Sequence, residues 1–250
     1  MRESEVTGNC HASFGERDRE THRLKDLKVR SVPTLFSPLL ANVFLHYAFD
    51  KWMQIHYPDI RFTRYADDII VHCQSLAKSE QVLKAIDMRL KQCKLELHTE
   101  KTKIIYCQDE HRRERYANKR FTFLGYSFQP REAKSKRGIF VAFGPAISKE
   151  SRKKIVASLR ATNLQRATNA TIEEIAKVLS PRIQGWLNYF TKFRKSEMRG
   201  VFYYLNERLA HWAKNRYKSL NWHQAYRWIR RQIKINPALF PHWKAGFVGV

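Results

Sequence analysis

The alternation of hydrophobic and polar positions divides this chain into three segments. Residues 1–36 are polar and lack apolar periodicity, which predicts a poorly ordered lead-in. Residues 37–145 mix helical and strand-like patterns, whereas residues 146–250 carry apolar side chains at helical spacing throughout. The pattern therefore predicts an α+β fold, in which an antiparallel sheet with helices on one face is followed by an all-α domain.

The mixed segment begins with a predicted buried helix, SPLLANVFLHYAFDKWMQ, in which Ser37 is the cap and Pro38 the first helical residue. A hairpin is predicted next, from the strand-like runs RFTRY and IIVHC. An amphipathic helix capped by Ser79 follows over residues 79–94. Further strands are predicted in KIIY, in FTFLGYSFQP with a kink at Gly125, and in GIFVAFGP.

Positive charge is concentrated in the helical segment. The chain has 47 Lys and Arg against 23 Asp and Glu, and residues 145–250 hold 21 of these bases but only 5 of the acids. Five of the six tryptophans also lie there. Such a composition favours binding to polyanions, and nucleic acid is a stronger candidate than an anionic membrane. The predicted helices of this segment cover residues 147–160, 171–179, 181–193, 198–218 and 222–235.

The chain has none of the sequence features of a membrane or secreted protein. No apolar run reaches the roughly 20 residues that span a bilayer, and the polar opening MRESEVTGNC is unlike a signal peptide. The cysteines lack CxxC spacing, so neither a zinc site nor a disulfide framework is predicted. These features predict a cytoplasmic protein, associated with RNA or the nucleoid, that does not bind membranes.

Two adjacent aspartates, Asp67 and Asp68, stand between the two runs of the predicted hairpin. Adjacent acids repel each other and strands disfavour Asp, so the pair needs a compensating charge. Two Mg²⁺ ions about 4 Å apart, held by carboxylate oxygens, can activate a 3′-hydroxyl and stabilise a leaving pyrophosphate. A solvated Asp-Asp turn is the alternative, and these residues alone do not decide between the two.

The wider context resembles one protein family. RYADDIIVHCQS, KLELHTEKTKII and FTFLGYSF are similar, in this order, to successive palm motifs of group II intron reverse transcriptases. SPLLANVFLHYAFD resembles the helix before the acidic tip in that family, and KVLSPRIQGWLNYF resembles its maturase-specific, or thumb, domain. The resemblance implies a partial palm over residues 37–145 and a thumb over residues 146–250. It also implies an RNA-directed DNA polymerase and intron-splicing factor whose partners are group II intron RNA, an RNA template and a DNA primer.

The resemblance assigns catalytic roles around the acidic tip. Asp67 would ligate the Mg²⁺ ions with Asp68 as its partner, and Tyr65 and Ala66 would lie beside the primer end and the incoming nucleotide. Lys101 falls where the family has a palm lysine that steadies the triphosphate or protonates pyrophosphate. A surface lysine without that role is the alternative for Lys101.

A second set of residues is assigned to contacts with RNA or primer. In the helix that contains GWLNYF, Arg182, Trp186 and Tyr189 share one face, and Gly185 would allow a neighbour to pack closely. The alternatives are a core position for the two aromatic residues and a solvated surface for the bases. Bases interleaved with aromatics favour an RNA-backbone surface. The predicted set comprises the primer-gripping turn Phe123, Leu124 and Gly125 together with Arg152, Lys153, Lys154, Arg182, Trp186, Tyr189, Lys192, Arg194, Lys195, Arg230 and Arg231.

The sequence departs from the family pattern ahead of Ser37. Family members carry an upstream strand that ends in a third catalytic aspartate, and a Pro-Gln-Gly-Gly stretch before SPLL. Here RSVPTLF precedes Ser37, and the upstream aspartates Asp18 and Asp26 lack an apolar strand context. We therefore interpret the chain as a truncated family member with an incomplete two-metal site and negligible polymerase activity. The alternatives are a non-catalytic RNA-binding maturase remnant that assists intron folding and splicing, and a decayed element without function.

Overall fold

The structure, a computed structural model, describes residues 10–13, 36–112, 114, 116–135 and 138–249. The chain forms two compact units. The N-terminal unit comprises Met1–Phe123 and Gln129–Gly144, and the C-terminal unit comprises Leu124–Phe128 and Pro145–Val250. Helices and small antiparallel sheets occur together, which confirms the predicted α+β class. Within the described residues, no helix is long and apolar enough to cross a bilayer.

The N-terminal unit contains a long helical segment over residues 36–56. It begins at Phe36, so Ser37 is not its cap, and Ala48, Phe49 and Met53 in its second half are buried. The first half differs from the predicted buried helix, because an apolar pattern identifies a helix without specifying which neighbours cover it. The segment consists of α1 (Phe36–Leu45), one π-helical turn (His46–Asp50) and α2 (Lys51–His56). The exposed apolar side chains of its first half are Leu39, Leu40, Val43, Phe44 and Tyr47.

The predicted hairpin lies in a four-stranded sheet. Its strands are β1 (Cys10–Ser13), β2 (Phe62–Tyr65), β3 (Asp68–Cys73) and β4 (Ile104–Tyr106). The strand order is β2-β3-β1-β4, and β1 pairs antiparallel with both β3 and β4. Residues 10–13 therefore differ from the poorly ordered lead-in predicted for 1–36, since four residues are too few to show an apolar alternation. Residues 1–9 and 14–35, which include Asp18 and Asp26, lie outside the described part of the chain.

Helix α3 (Leu76–Gln92) packs on this sheet. It begins three residues before the predicted start, because the hydroxyl of Ser75 accepts a hydrogen bond from the backbone N–H of Lys78 at 3.2 Å. Ser79, the predicted cap, is instead buried within the first turn, where its hydroxyl donates to backbone carbonyls. The apolar layer between the helices and the sheet contains Phe49, Met53, Ile69, Val71, Val82, Ile86 and Leu90.

Three further strands, β5 (Phe121–Phe123), β6 (Tyr126–Ser135) and β7 (Gly138–Ile147), form a sheet in the order β5-β6-β7. Leu124 and Gly125 connect β5 to β6, with φ angles of 49° and 77°. Two consecutive residues with positive φ are typical of the type I′ turn, which matches the twist of a β-hairpin. The predicted kink at Gly125 is thus a two-residue turn.

The C-terminal unit packs its helices around one apolar core. Leu179 and Ile183, on either side of Pro181, are both buried in that core, so α5 continues through the proline although the ring cannot donate a helical hydrogen bond. The prediction of two helices, over residues 171–179 and 181–193, is therefore wrong. The helices are α4 (Lys149–Ala161), α5 (Ile172–Phe190), α6 (Arg199–Arg216), α7 (Trp222–Ile235) and α8 (Pro241–Lys244), with 3-10 turns at Leu164–Arg166 and Lys195–Met198.

Candidate functional site

The two aspartates lie at the tip of the hairpin formed by β2 and β3. Tyr65 pairs with Asp68 across the strands, and Ala66 and Asp67 form the turn between them. Asp67 is exposed, Asp68 is half-buried, and the neighbouring Tyr65 is 62% exposed. Ala66 has a φ of 53°, a left-handed conformation that costs a residue with a Cβ about 1 kcal/mol or more. The tip thus presents two carboxylates and an aromatic ring on a strained turn.

Arg64 connects this turn to the long helical segment. Its Nε and Nη2 donate to the carboxylate of Asp50 at 2.8 and 2.7 Å. Its Nη1 donates to Oδ1 of Asn42 at 2.9 Å and to the carbonyl of Ala66 at 3.0 Å. Hydrogen bonding to Asp50 raises the pKa of Arg64 above its ordinary value. This pair was not predicted from the sequence, because partners 14 residues apart give no periodic signal.

Carboxylate oxygens at an exposed tip suit a hard divalent cation such as Mg²⁺ or Mn²⁺. Among the described residues, no group of three or more His, Cys, Asp or Glu side chains is arranged to hold a metal ion. In that part of the chain, Asp67 and Asp68 are therefore not joined by a third such side chain in an arrangement that would hold a metal ion. Lys101 lies in the loop between α3 and β4, where its backbone N–H donates to the carbonyl of His98 at 3.2 Å.

The turn between β5 and β6 is held by side chains and backbone of α4 and α5. The hydroxyl of Tyr189 donates to the carbonyl of Leu124 at 2.8 Å. The hydroxyl of Ser151 and the backbone N–H of Ser148 both donate to the carbonyl of Gly125 at 2.9 Å. The carbonyls of Leu124 and Gly125, two of the three residues of the predicted primer-gripping turn, are therefore engaged within the C-terminal unit.

Aromatic rings pack beside this turn. The ring centroids of Tyr189, Phe190 and Phe193 lie 5.2 to 5.6 Å from that of Tyr126. The hydroxyl of Tyr126 donates to the carbonyl of Tyr189, and burial raises the pKa of Tyr126. Tyr189 is nonetheless 43% exposed, so it fixes the turn and still presents part of its ring to solvent. Phe123, by contrast, is buried.

Replacing Gly125 with alanine is expected to destabilise the C-terminal unit by about 2–3 kcal/mol. Its φ of 77° disfavours any residue with a Cβ, and that Cβ would lie 2.8 Å from Oγ of Ser151. Urea unfolding followed by tryptophan fluorescence is a suitable measurement, because five of the six tryptophans lie in residues 145–250.

Gly185→Ala is the matched control for this prediction. Gly185 is exposed within α5, and a Cβ built there would meet nothing within 4 Å. The close packing of a neighbour that the sequence analysis predicted at Gly185 is therefore wrong. We expect Gly185→Ala to stabilise the unit by about 0.5–1 kcal/mol. Similar shifts for the two variants would contradict the conformational argument at Gly125.

Other residues of the GWLNYF helix are divided between core and surface. Trp186 is half-buried against the core of the C-terminal unit. Arg182 is exposed, and its Nη2 donates to Oγ of Ser158 at 3.1 Å. Asn188 is exposed and accepts a hydrogen bond from Gln184 at 2.7 Å. The core position considered for Trp186 is thus partly realised, whereas Arg182 faces solvent.

The bases predicted to contact RNA differ in their surroundings. Arg152 is half-buried and forms an ion pair with Glu197 at 3.0 Å, and Arg194 is also half-buried. Lys195 donates to the carbonyl of Ala245. The exposed members are Lys153, Lys154, Arg182, Lys192, Lys195, Arg230 and Arg231.

Helix α7 carries two further exposed bases, Arg227 and Lys234, that the sequence analysis did not select. A sequence signal for them exists, because residues 208–250 contain nine Lys and Arg and no Asp or Glu. Near the start of α7, Nζ of Lys214 lies 3.9 Å from the ring centroid of Trp222, which is 43% exposed. A cation over an exposed indole can contact both a phosphate and a base.

Two family models match the chain. Residues 33–128 match the model described as "Reverse transcriptase (RNA-dependent DNA polymerase)", and residues 152–233 match the model described as "Group II intron, maturase-specific domain". Together the matches cover more than two thirds of the chain. A comparison with curated proteins found no match. The reverse transcriptase match implies the general requirement of that family for a divalent metal. The two matches together imply binding of intron RNA and of RNA or DNA substrates. The chain belongs to the group II intron reverse transcriptase/maturase family.

Proposed function

We propose that this chain binds group II intron RNA through its C-terminal unit and assists the folding and splicing of that RNA. Residues 146–250 would act as the thumb, or maturase-specific, domain, and residues 37–145 as a partial palm. The RNA backbone would lie along the exposed bases, and the protein would be RNA-associated in the cytoplasm.

The distribution of side chains around α7 is the observation that carries this proposal. Ala225, Ile229 and Ile233 are buried, so they fix which face of the helix packs on the core. The bases Arg227, Arg230, Arg231 and Lys234 are all exposed. Residues 208–250 themselves contain no Asp or Glu. A cationic helix face beside exposed aromatics supports binding to a phosphate backbone.

Replacing Arg227, Arg230 and Arg231 together with glutamine is expected to weaken RNA binding at low salt. Each phosphate contact adds about 0.7 to 0.9 to the slope of log affinity against log salt, so the slope should fall by about 2 to 3. Filter binding to a structured intron RNA over a range of KCl concentrations measures it. The thermal stability should change little, since the three side chains are exposed.

The control variant replaces Lys51, Lys84 and Lys103 with glutamine. These three lysines are exposed on the N-terminal unit. The control removes three positive charges, so its change in net charge equals that of the α7 variant. The proposal expects a clearly smaller loss of slope from the control. Equal losses would mean that the total charge, rather than the α7 face, governs binding.

A second candidate activity is template-directed nucleotidyl transfer at Asp67 and Asp68, with Mg²⁺ as the metal. The hairpin with adjacent carboxylates at its tip, inside the reverse transcriptase match, supports it. Two carboxylates hold Mg²⁺ loosely, so we expect primer extension by this chain alone to equal that of Asp67→Ala. Extension by the unaltered chain that Asp67→Ala abolishes would instead demonstrate a working polymerase site.

A further inference from the structure

We propose that Trp222 is a stacking site for an unpaired nucleotide of the bound RNA, and that Lys214 moves from the indole to the adjacent phosphate when a base stacks there. The inference rests on the proposed RNA binding of the C-terminal unit, to which the whole site belongs. It adds the class of RNA that this unit recognises. Bases inside a duplex are covered by their neighbours, so the ligand of a stacking site is a single strand, a loop or a bulge.

Trp222 differs from the other tryptophans in its exposure. Of the six, Trp212 and Trp243 are buried and three are half-buried, whereas Trp222 is exposed, with 43% of its surface open to solvent. Exposure alone does not identify a site, since isolated apolar side chains are common on protein surfaces. The surroundings of the indole carry the inference.

The indole is held by neighbours on two helices. Trp222 is the first residue of α7 and directly follows Asn221, which exchanges two capping hydrogen bonds with Gln224, at 2.8 and 2.9 Å. From α6, the ring centroid of His211 lies 4.5 Å from that of Trp222, and Nζ of Lys214 lies over the indole at 3.9 Å. An aromatic ring that is already positioned loses little freedom on binding, which favours affinity.

The surroundings of the indole are positively charged. Burial lowers the pKa of His211. The charges of Arg208 and Lys214 lower it further, whereas that of Glu207 raises it, so two bases and one acid lie near this ring. Such a setting disfavours the cationic ligands that aromatic rings also bind. A nucleotide fits it, because the base supplies a flat ring and the phosphate supplies a negative charge.

The contact between Lys214 and the indole can be exchanged for a base. A cation–π contact at an exposed site is weaker than the stacking of a base on an aromatic side chain. Lys214 has a flexible four-carbon stem, so its ammonium can leave the ring without a change in the backbone of α6. The phosphate beside the stacked base then offers that ammonium a full negative charge. Both partners therefore gain from the exchange.

The stacking is tested with two RNAs, a short single-stranded oligouridylate with 2-aminopurine at its centre and an RNA duplex of equal charge. We expect Trp222→Leu to lower the ratio of single-strand to duplex affinity about five- to tenfold. Trp222→Phe keeps an aromatic face and should lower the ratio by less than about threefold. The unaltered chain should quench the 2-aminopurine fluorescence more than Trp222→Leu does. An unchanged ratio in Trp222→Leu would overturn the inference.

The role of Lys214 is tested by the salt dependence of binding to the single strand. We expect Lys214→Gln to reduce the slope of log affinity against log salt by about 0.7, the value for one phosphate contact on a single strand. Its quenching of 2-aminopurine should persist, because the indole remains. Lys218→Gln is the control, since Lys218 is exposed on the same unit and the change in charge is identical. Equal slopes for Lys214→Gln and the unaltered chain would exclude the transfer to phosphate.

The two RNAs also separate the inference from the proposed function. If the unaltered chain binds neither RNA, the proposed RNA binding fails and the stacking site fails with it. If the chain binds both and Trp222→Leu leaves the ratio unchanged, the inference alone fails, because the bases of α7 would contact phosphates in either RNA.

Discussion

Asn206→Ala is expected to lower the free energy of unfolding of the C-terminal unit by about 3–5 kcal/mol. Asn206 is fully buried on α6 at the centre of a buried polar hub, formed with His242, Trp243 and the carbonyls of Phe247 and Gly249. Its Oδ1 accepts from Nε1 of Trp243 at 2.8 Å and bonds Nε2 of His242 at 2.9 Å. Its Nδ2 donates to the carbonyls of Phe247 at 3.1 Å and Gly249 at 2.7 Å.

The size of this effect follows from what the substitution leaves behind. Alanine would remove all four hydrogen bonds at once, so two donors and two acceptors would lack the partner that Asn206 gives them. A buried polar group without a partner costs about 1–3 kcal/mol, and the losses within one network are not additive. The hub also attaches the chain segment from Phe240 onward to α6, so residues 240–249 should loosen first.

Urea unfolding of the full chain, followed by tryptophan fluorescence, measures this prediction, with Asn188→Ala as its control. Asn188 is exposed on α5, and its bond to Gln184 can be replaced by water. We expect that control to change stability by less than about 0.5 kcal/mol. A loss at Asn206 no larger than that of the control would show that the hub does not hold the segment.

Elements whose pattern is both strong and local were predictable from the sequence. Helix α7 spans Trp222–Ile235, as predicted, because its apolar and basic positions separate cleanly at helical spacing. The hairpin at Asp67 was equally visible, since two β-rich runs flank a short polar turn. Helix α5 was not, because the local rule that proline ends a helix was outweighed by packing on both sides of Pro181.

The residue types of the candidate site were predictable from the sequence, but the hydrogen bonds that support the site were not. The aspartate pair and the bases stand out by residue type, so they were predictable from the sequence. The bonds that support the turn before Asp67 and the turn at Gly125 join distant positions, 14 residues apart for Arg64 and Asp50 and 65 for Tyr189 and Leu124. Such pairs become neighbours only through the fold, and no periodicity in the sequence indicates them. The hub around Asn206 went unpredicted for the same reason.

Histidine protonation is expected to destabilise the C-terminal unit at acidic pH. In the hub, Oδ1 of Asn206 accepts a bond from Trp243, which can only donate, while Nδ2 faces two carbonyls. The orientation of the amide is thereby fixed, so Nε2 of His242 must carry a proton and donate. Nδ1 of His242 is buried and has no hydrogen-bond partner among the described residues, and burial lowers the pKa of His242 to about 3.

The direction of the pH effect follows from these two protonation states. In the unfolded chain His242 has a pKa of about 6.5, so between about pH 6.5 and 3 the unfolded chain binds one more proton than the folded chain. The contribution of His242 to stability is therefore complete above pH 6.5 and falls by about 1.4 kcal/mol per pH unit below it. Burial also lowers the pKa of His211, which acts on the C-terminal unit in the same direction. Burial lowers the pKa of His72 as well, but His72 lies in the N-terminal unit.

His242→Gln isolates the contribution of this one residue. A glutamine amide can place an N–H donor near the position of Nε2 and so keep the bond to Asn206, but it does not titrate. The variant should be less stable at pH 7, because the ring of His242 stacks on Phe202 with centroids 5.3 Å apart. Its disadvantage should then shrink by about 1.4 kcal/mol per pH unit between pH 6 and pH 4, as the unaltered chain alone loses stability to protonation of His242. Urea unfolding at several pH values provides both curves. Because all other titrating groups are common to the two proteins, parallel curves would mean that His242 is already protonated in the folded chain, and the tautomer and burial assigned to it would be wrong.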